Sequence, residues 1–220
     1  MVACHSSKVA VGVQVPVTIL LLIVSSARAE WVTIPSYRQS NISGALGDIF
    51  DHTPPKLDIE PSLYHDDIDK ITSAHETTHL IHARLKIARK KDTFYLLKNR
   101  AFSTTSPKIT LKQVADSVPE DKRGKVYGLY LVEQQKYWND RPLYIIDELV
   151  AYINGTIVGL EINDIRRAKD SFNKVEEMWV YAAALQKLSQ QSNFSCQKEF
   201  DEFMAFIYND RVVWLRNQLE

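Results

Sequence analysis

Residues 66–91 read DDIDKITSAHETTHLIHARLKIARKK, and this stretch has the strongest pattern in the chain. Its apolar side chains recur at helical spacing over more than five turns, which indicates a helix buried on a broad face. Aspartates at the start and basic residues at the end complement the two ends of a helix dipole. We therefore predict one long helix that begins near Asp66 or Asp67 and ends near Lys90.

The centre of this helix has the motif His75-Glu76-x-x-His79. Residues four apart lie on the same helix face, so both imidazoles can bind one metal ion. Glu76 lies about 100° around the helix and can act on a metal-activated water without binding the metal. His82 extends the histidine face by almost one turn. We interpret His82 as a packed residue that supports a ligand, with a hydrogen bond to substrate as the alternative.

The motif resembles that of the zincin metallopeptidases, in which the two histidines bind one zinc ion and the glutamate is the general base. This resemblance implies that His75 and His79 are ligands and that Glu76 is the base. The metzincin branch is excluded, because its glycine and third histidine would stand where this chain has His82 and Leu85. The gluzincin branch remains, and it takes its third ligand from a glutamate on a later helix.

Residues 147–152, DELVAY, match the E-x-x-A form of that later motif, which implies that Glu148 is the third ligand. The residues themselves point the same way, because Ala151 and Gly155 would allow a second helix to approach closely beside a carboxylate. A carboxylate on a largely apolar helix is costly without a partner, and a metal ion is such a partner. Asp147 is the nearest rival. The other known form of the motif has an aspartate at the position of Tyr152, and that aspartate orients a ligand histidine. In this chain His65, Asp66 or Asp67 are candidates for orienting a ligand histidine.

A metallopeptidase also needs a group that stabilises the oxyanion beside the metal. Tyr144 and Tyr152 each lie four residues from Glu148, so both are candidates, and an aromatic core role is the alternative for each. Arg141 and Tyr137 lie just upstream.

The remaining pattern predicts a mostly helical α+β fold, zincin-like, with an active-site helix, a small β element and a helical C-terminal part. Residues 93–102 are expected to form a strand, and residues 109–118 a short helix or strand. Further helices are expected over residues 119–138, 143–157, 162–190 and 197–219, with a strand as the alternative at the start of the segment 143–157. We divide the chain into an irregular arm at 30–62, a catalytic core at 63–160 and a C-terminal helical part of the same domain at 161–220.

Residues 1–29 match a secretory signal peptide, with Lys8, an apolar run and the cleavage signal Ala27-Arg28-Ala29. Cleavage after Ala29 predicts a secreted or periplasmic protein with no stable membrane span; the alternative is an uncleaved membrane anchor, for which the apolar run is short. The chain has 27 basic and 27 acidic residues, which gives no reason to expect a nucleic-acid partner. Cys196 would be the only cysteine after cleavage, so we expect a partly buried structural thiol and no internal disulfide.

The sequence thus predicts an exported metallopeptidase with one zinc ion and a peptide or protein substrate. Two other interpretations remain open. The chain is a non-catalytic metal-binding or helical protein-interaction domain of the same fold, or it is a helical exported protein in which the motif is accidental.

Overall fold

A computed structural model describes residues 28–54 and 69–220; the predicted signal peptide lies almost entirely outside them. Three strands, β1–β3, and eight α-helices, α1–α8, follow one another along the described chain. In order they are β1 (Glu30–Thr33), α1 (Gly44–His52), α2 (Lys70–Arg89), β2 (Asp92–Tyr95), β3 (Arg100–Thr104), α3 (Leu111–Ser117), α4 (Gln135–Trp138), α5 (Tyr144–Glu161), α6 (Ile165–Gln191), α7 (Gln197–Ile207) and α8 (Val213–Leu219). The mostly helical α+β prediction is confirmed.

The long helix α2 is delimited by its caps. The Asp69 carboxylate accepts hydrogen bonds from the backbone N–H groups of Ile71 and Thr72, at 3.0 and 3.3 Å. Such an N-cap satisfies donors that have no partner within the helix. The helix ends where Lys90 adopts a left-handed conformation with φ of 56°. The predicted start near Asp66 or Asp67 lies outside the described residues.

α5 lies at the centre of the molecule, between α2 and α6. Its residues are buried on almost every side, including Ile145, Leu149 and Ile153. A helix that is apolar all round is stable only inside a core, and the sheet and α2 cover the face that α6 leaves open. The central position matters for function, because α5 has the predicted third ligand.

The three strands form an antiparallel sheet in the order β1-β3-β2. The prediction of a single strand at residues 93–102 is wrong, because the chain reverses within it. Leu97, Lys98 and Asn99 all have positive φ, between 52° and 65°, and make a tight turn between β2 and β3. Of these residues only Asn99 favours such a conformation, so the apolar run conceals the turn.

Two more expectations need correction. The arm at 30–62 is not wholly irregular, because β1 adds an edge to the sheet and α1 packs on α2 and α5. The helix expected at 119–138 is broken into a 3₁₀ turn (Glu120–Lys122), a π-helical turn (Gly128–Glu133) and α4. The Glu177 carboxylate fills the space beside Gly124 and accepts a hydrogen bond from the Val126 backbone N–H at 2.8 Å. The backbone there is satisfied by a side chain and does not continue a helix.

The other helical predictions agree with the structure. Residues 109–118 contain the helix α3, whose N-terminus has a capping box formed by Thr110 and Gln113. The last predicted helix, at 197–219, is α7 and α8 joined by a π-helical turn (Tyr208–Val212). Cys196 is buried. Within the described residues no helix is both long enough and apolar enough to cross a membrane.

Candidate metal centre

The two motif histidines face each other on one side of α2. His75 Nε2 and His79 Nε2 are 3.0 Å apart, and the two rings stand nearly perpendicular. The spacing of four residues produces this arrangement, since it stacks the side chains one turn apart on one face. The same atoms can share a proton, or they can bind one metal ion.

Glu148 on α5 reaches the same point from the opposite side. Its Oε2 atom is 3.5 Å from His75 Nε2 and 3.6 Å from His79 Nε2, and its side chain is 9% exposed. Gly155 allows this approach, because a Cβ atom there would lie 2.9 Å from the backbone oxygen of Ile71. The helices can therefore bring the three ligand atoms together only because residue 155 has no side chain.

These three atoms fit a metal ion. In a tetrahedral zinc site with bonds of about 2.0–2.1 Å, neighbouring ligand atoms are about 3.3–3.4 Å apart. The observed distances of 3.0, 3.5 and 3.6 Å lie around that value. Glu148 Oε2 is buried and, among the described residues, has no hydrogen bond of normal length, because its nearest donors, His75 Nε2 and His79 Nε2, lie 3.5 and 3.6 Å away. A buried carboxylate oxygen without such a hydrogen bond is expensive, so a cation at this point supplies what the protein does not.

Asp147 contacts the other ring nitrogen of His79, Nδ1. Its Oδ1 atom lies 3.1 Å from His79 Nδ1 and also contacts His82 Nδ1. Consecutive helix residues point about 100° apart, so the two carboxylates reach the two ring nitrogens of His79 separately. A carboxylate on Nδ1 fixes the tautomer in which Nε2 is free to bind metal. The role that we sought at residue 152, or in His65, Asp66 and Asp67 outside the described residues, is filled by Asp147.

A second group, His79, His82 and Asp147, also has its ligand atoms within 4.8 Å of one another. Direct hydrogen bonds from the two imidazoles already account for the Asp147 carboxylate in that group. The first group leaves the Glu148 oxygen without a hydrogen bond of normal length, so His75, His79 and Glu148 are the better candidates for ligands.

The histidines and carboxylates of this cluster shift one another's pKa values. Burial lowers the pKa of His79, but the hydrogen bond to Asp147 and the nearby charges of Asp147 and Glu148 outweigh it and raise that pKa to about 10. Burial opposes ionisation of Glu148, yet His75 and His79 lower the pKa of its carboxyl to about 2. The histidines lower the pKa of Asp147 in the same way. At neutral pH His79 is therefore protonated between two carboxylates, and a metal ion must displace that proton.

Glu76 differs from the ligands in its exposure. Its side chain is 65% exposed, and its Oε1 atom lies 4.0 Å from His75 Nε2. A general base needs this combination of closeness to the metal-facing atoms and access to water and substrate.

The two candidate tyrosines also lie beside the centre. The Tyr152 ring is 4.2 Å from the His75 ring, and its hydroxyl bonds to the Tyr130 hydroxyl at 2.5 Å. Burial, together with the charge and hydrogen bond of Glu148, raises the pKa of Tyr144. Both phenols therefore remain protonated donors at neutral pH. The sequence analysis predicts only a helix over 119–138 at Tyr130 and no role in the site, because its hydroxyl partner is 22 residues away in the chain.

A cleft of about 350 Å³ opens next to the centre. Of the three proposed ligands only His79 lines it, together with Asp147 and Tyr144, so the cleft adjoins the cluster on the side of Asp147. Phe94 and Leu143, which are buried, also line it. This volume is within the range of small-ligand sites.

No protein-family model, curated protein or solved structure matches this chain. The resemblance to zincins therefore depends on the motif residues and on the geometry around them.

Proposed function

We propose that this protein is an exported zinc-dependent metallopeptidase that holds one zinc ion through His75, His79 and Glu148. The observation that carries the proposal is the triangle of ligand atoms that includes a buried carboxylate oxygen without a hydrogen bond of normal length among the described residues. Three protein ligands are typical of catalytic zinc, which keeps a fourth position for water or substrate. Export follows from the signal-peptide pattern of residues 1–29.

The residues around the ion divide the work of peptide hydrolysis. Zinc in such a site acts as a Lewis acid on a carbonyl group and lowers the pKa of water. Glu76 takes the proton from the attacking water and delivers it to the leaving amine as the C–N bond breaks. Tyr152 or Tyr144 donates a hydrogen bond to the oxyanion. Asp147 holds the His79 ring in the metal-binding tautomer.

The test separates metal binding from turnover. Glu76→Gln should retain one zinc ion per chain, measured by metal analysis, and lose hydrolysis of a mixed peptide library. Glu202→Gln is the matched control, since Glu202 is exposed on α7, and it should keep both properties. Unchanged hydrolysis in Glu76→Gln would refute the mechanism.

The alternative from another class is a non-catalytic metal-binding or protein-interaction domain of the same fold. It predicts stoichiometric zinc in the wild type and no cleavage of any peptide. An accidental motif predicts equal and negligible zinc in the wild type and in His79→Ala.

A further inference from the structure

The cleft beside the metal centre has a chemical character of its own. Its lining is mainly apolar and includes Phe94, Leu143 and Trp138. Trp138 stacks flat on Tyr144, with ring centroids 5.1 Å apart and an angle of 2° between the planes. Stacked aromatic rings together with apolar side chains in one cleft favour a planar or branched apolar side chain as ligand.

Two cations also line this cleft, and they differ in their partners. The Lys86 ammonium is bound to Asp92 at 2.5 Å, so its charge is neutralised within the protein. Arg141 is exposed, and its guanidinium lies 5.7 Å from the Trp138 ring. Among the described residues no carboxylate pairs with Arg141. Asp147, the other acidic residue in the lining, is held by His79 and His82.

An arginine at the edge of an apolar cleft can bind a carboxylate through two parallel hydrogen bonds. We propose that the cleft is a substrate-binding site for an apolar, preferably aromatic, residue followed by a carboxylate that Arg141 binds. This inference deepens the proposed function, on which it rests for the identity of the reaction, and adds the class of substrate.

The carboxylate has two possible sources with the same chemistry. It is the C-terminus of a peptide that ends in an aromatic residue, or it is an acidic side chain that follows such a residue inside a chain. The first source makes the enzyme act at chain ends, and the second makes it act within chains. Three probes distinguish them: N-acetyl-phenylalanine, N-acetyl-phenylalanine amide and N-acetyl-phenylalanyl-glutamate amide.

Binding is measured by titration calorimetry on the zinc-loaded Glu76→Gln protein, in which turnover does not interfere. We expect the amide to bind about tenfold more weakly than whichever carboxylate probe fits, because a charged hydrogen bond is lost. Arg141→Gln should remove that difference, and Arg141→Lys should restore part of it. Arg84→Gln is the control, since Arg84 lies on the same helix as His79 but lines a different cavity.

Several outcomes would overturn the inference: no binding of any probe, equal binding of acid and amide, or a preference that survives in Arg141→Gln. Carboxylate-selective binding that depends on Arg141 supports the inference, even when no peptide is cleaved. In that case the proposed peptidase activity is refuted and the binding site is supported. Cleavage of library peptides without any preference for this pair of residues would leave the peptidase and reject the cleft.

Discussion

Replacing Gly155 with alanine tests whether the close approach of α2 and α5 sets the spacing of the metal ligands. A Cβ atom at this position would lie 2.9 Å from the Ile71 backbone oxygen and 3.7 Å from His75 Cβ. Ordinary contact begins at 3.4 Å, so α5 must move away from α2 by about 0.5 Å. Metal–ligand distances tolerate about 0.2 Å. The metal-free protein can relax by this movement, whereas the metal-bound protein cannot.

Overpacking of this kind costs about 1–3 kcal/mol. If the metal-bound form bears most of that cost, zinc affinity falls by roughly 5- to 150-fold, at 1.4 kcal/mol for each factor of ten. No ligand is changed by the substitution, so a loss of affinity reports on helix spacing alone.

The assay is competition for zinc with a chromophoric chelator, combined with urea unfolding of the metal-free protein. Gly128→Ala is the matched control, because nothing lies within 4 Å of a Cβ atom there, and it should bind zinc like the wild type. The reasoning fails if Gly155→Ala unfolds more easily but binds zinc as tightly as the wild type. It also fails if both variants lose affinity equally.

Further predictions concern the ligands and their protons. Glu148→Ala should lose stoichiometric zinc by metal analysis, whereas Asp147→Asn should bind it about 10- to 100-fold more weakly, because a supporting carboxylate orients a ligand without binding the ion; the opposite ranking would exchange the two roles. Because the pKa of His79 is raised to about 10 without metal, zinc binding near pH 7 should release a proton, seen as a dependence of the calorimetric heat on the buffer. A calorimetric heat that does not depend on the buffer would contradict this proton release. The raised pKa of His79 stabilises the metal-free fold fully below pH 6.5, and that contribution is lost as the pH rises toward 10. The lowered pKa of Glu148 stabilises it above pH 4.5, and that contribution is lost as the pH falls toward 2, so urea unfolding of the metal-free wild type should be hardest between these limits. A His79→Ala protein that shows the same loss above pH 6.5 would contradict the assignment to His79.

Much of the candidate site follows from spacing on helices. The facing of His75 and His79 depends only on a separation of four residues on α2, and helical periodicity predicts that helix well. Glu148 can be predicted as a ligand for a related reason, since Gly155 indicates which face of α5 can approach another helix closely. Local sequence patterns therefore predict the three proposed ligands, His75, His79 and Glu148.

Other parts depend on contacts that local patterns do not encode. Asp147 and Glu148 are neighbours of similar chemistry, and only the rotation of α5 relative to α2 decides which reaches Nε2 and which Nδ1. The turn at residues 97–99 contains neither glycine nor proline, so the strand pattern hides it. The helix predicted over 119–138 is interrupted near Gly124, where the carboxylate of Glu177 occupies the adjacent space. Glu177 is distant in sequence, so a local pattern does not reveal this contact.

The two carboxylates on His79 have a mechanical consequence. Consecutive residues of α5 face the two nitrogens of one imidazole ring, Asp147 at 3.1 Å and Glu148 at 3.6 Å, so the ring favours one rotation of that helix about its own axis. A rotation of α5 that improved one contact would break the other, because the side chains diverge by about 100°. Since α5 also packs along α6, the same helix joins the ring of His79 to the C-terminal helical part of the protein.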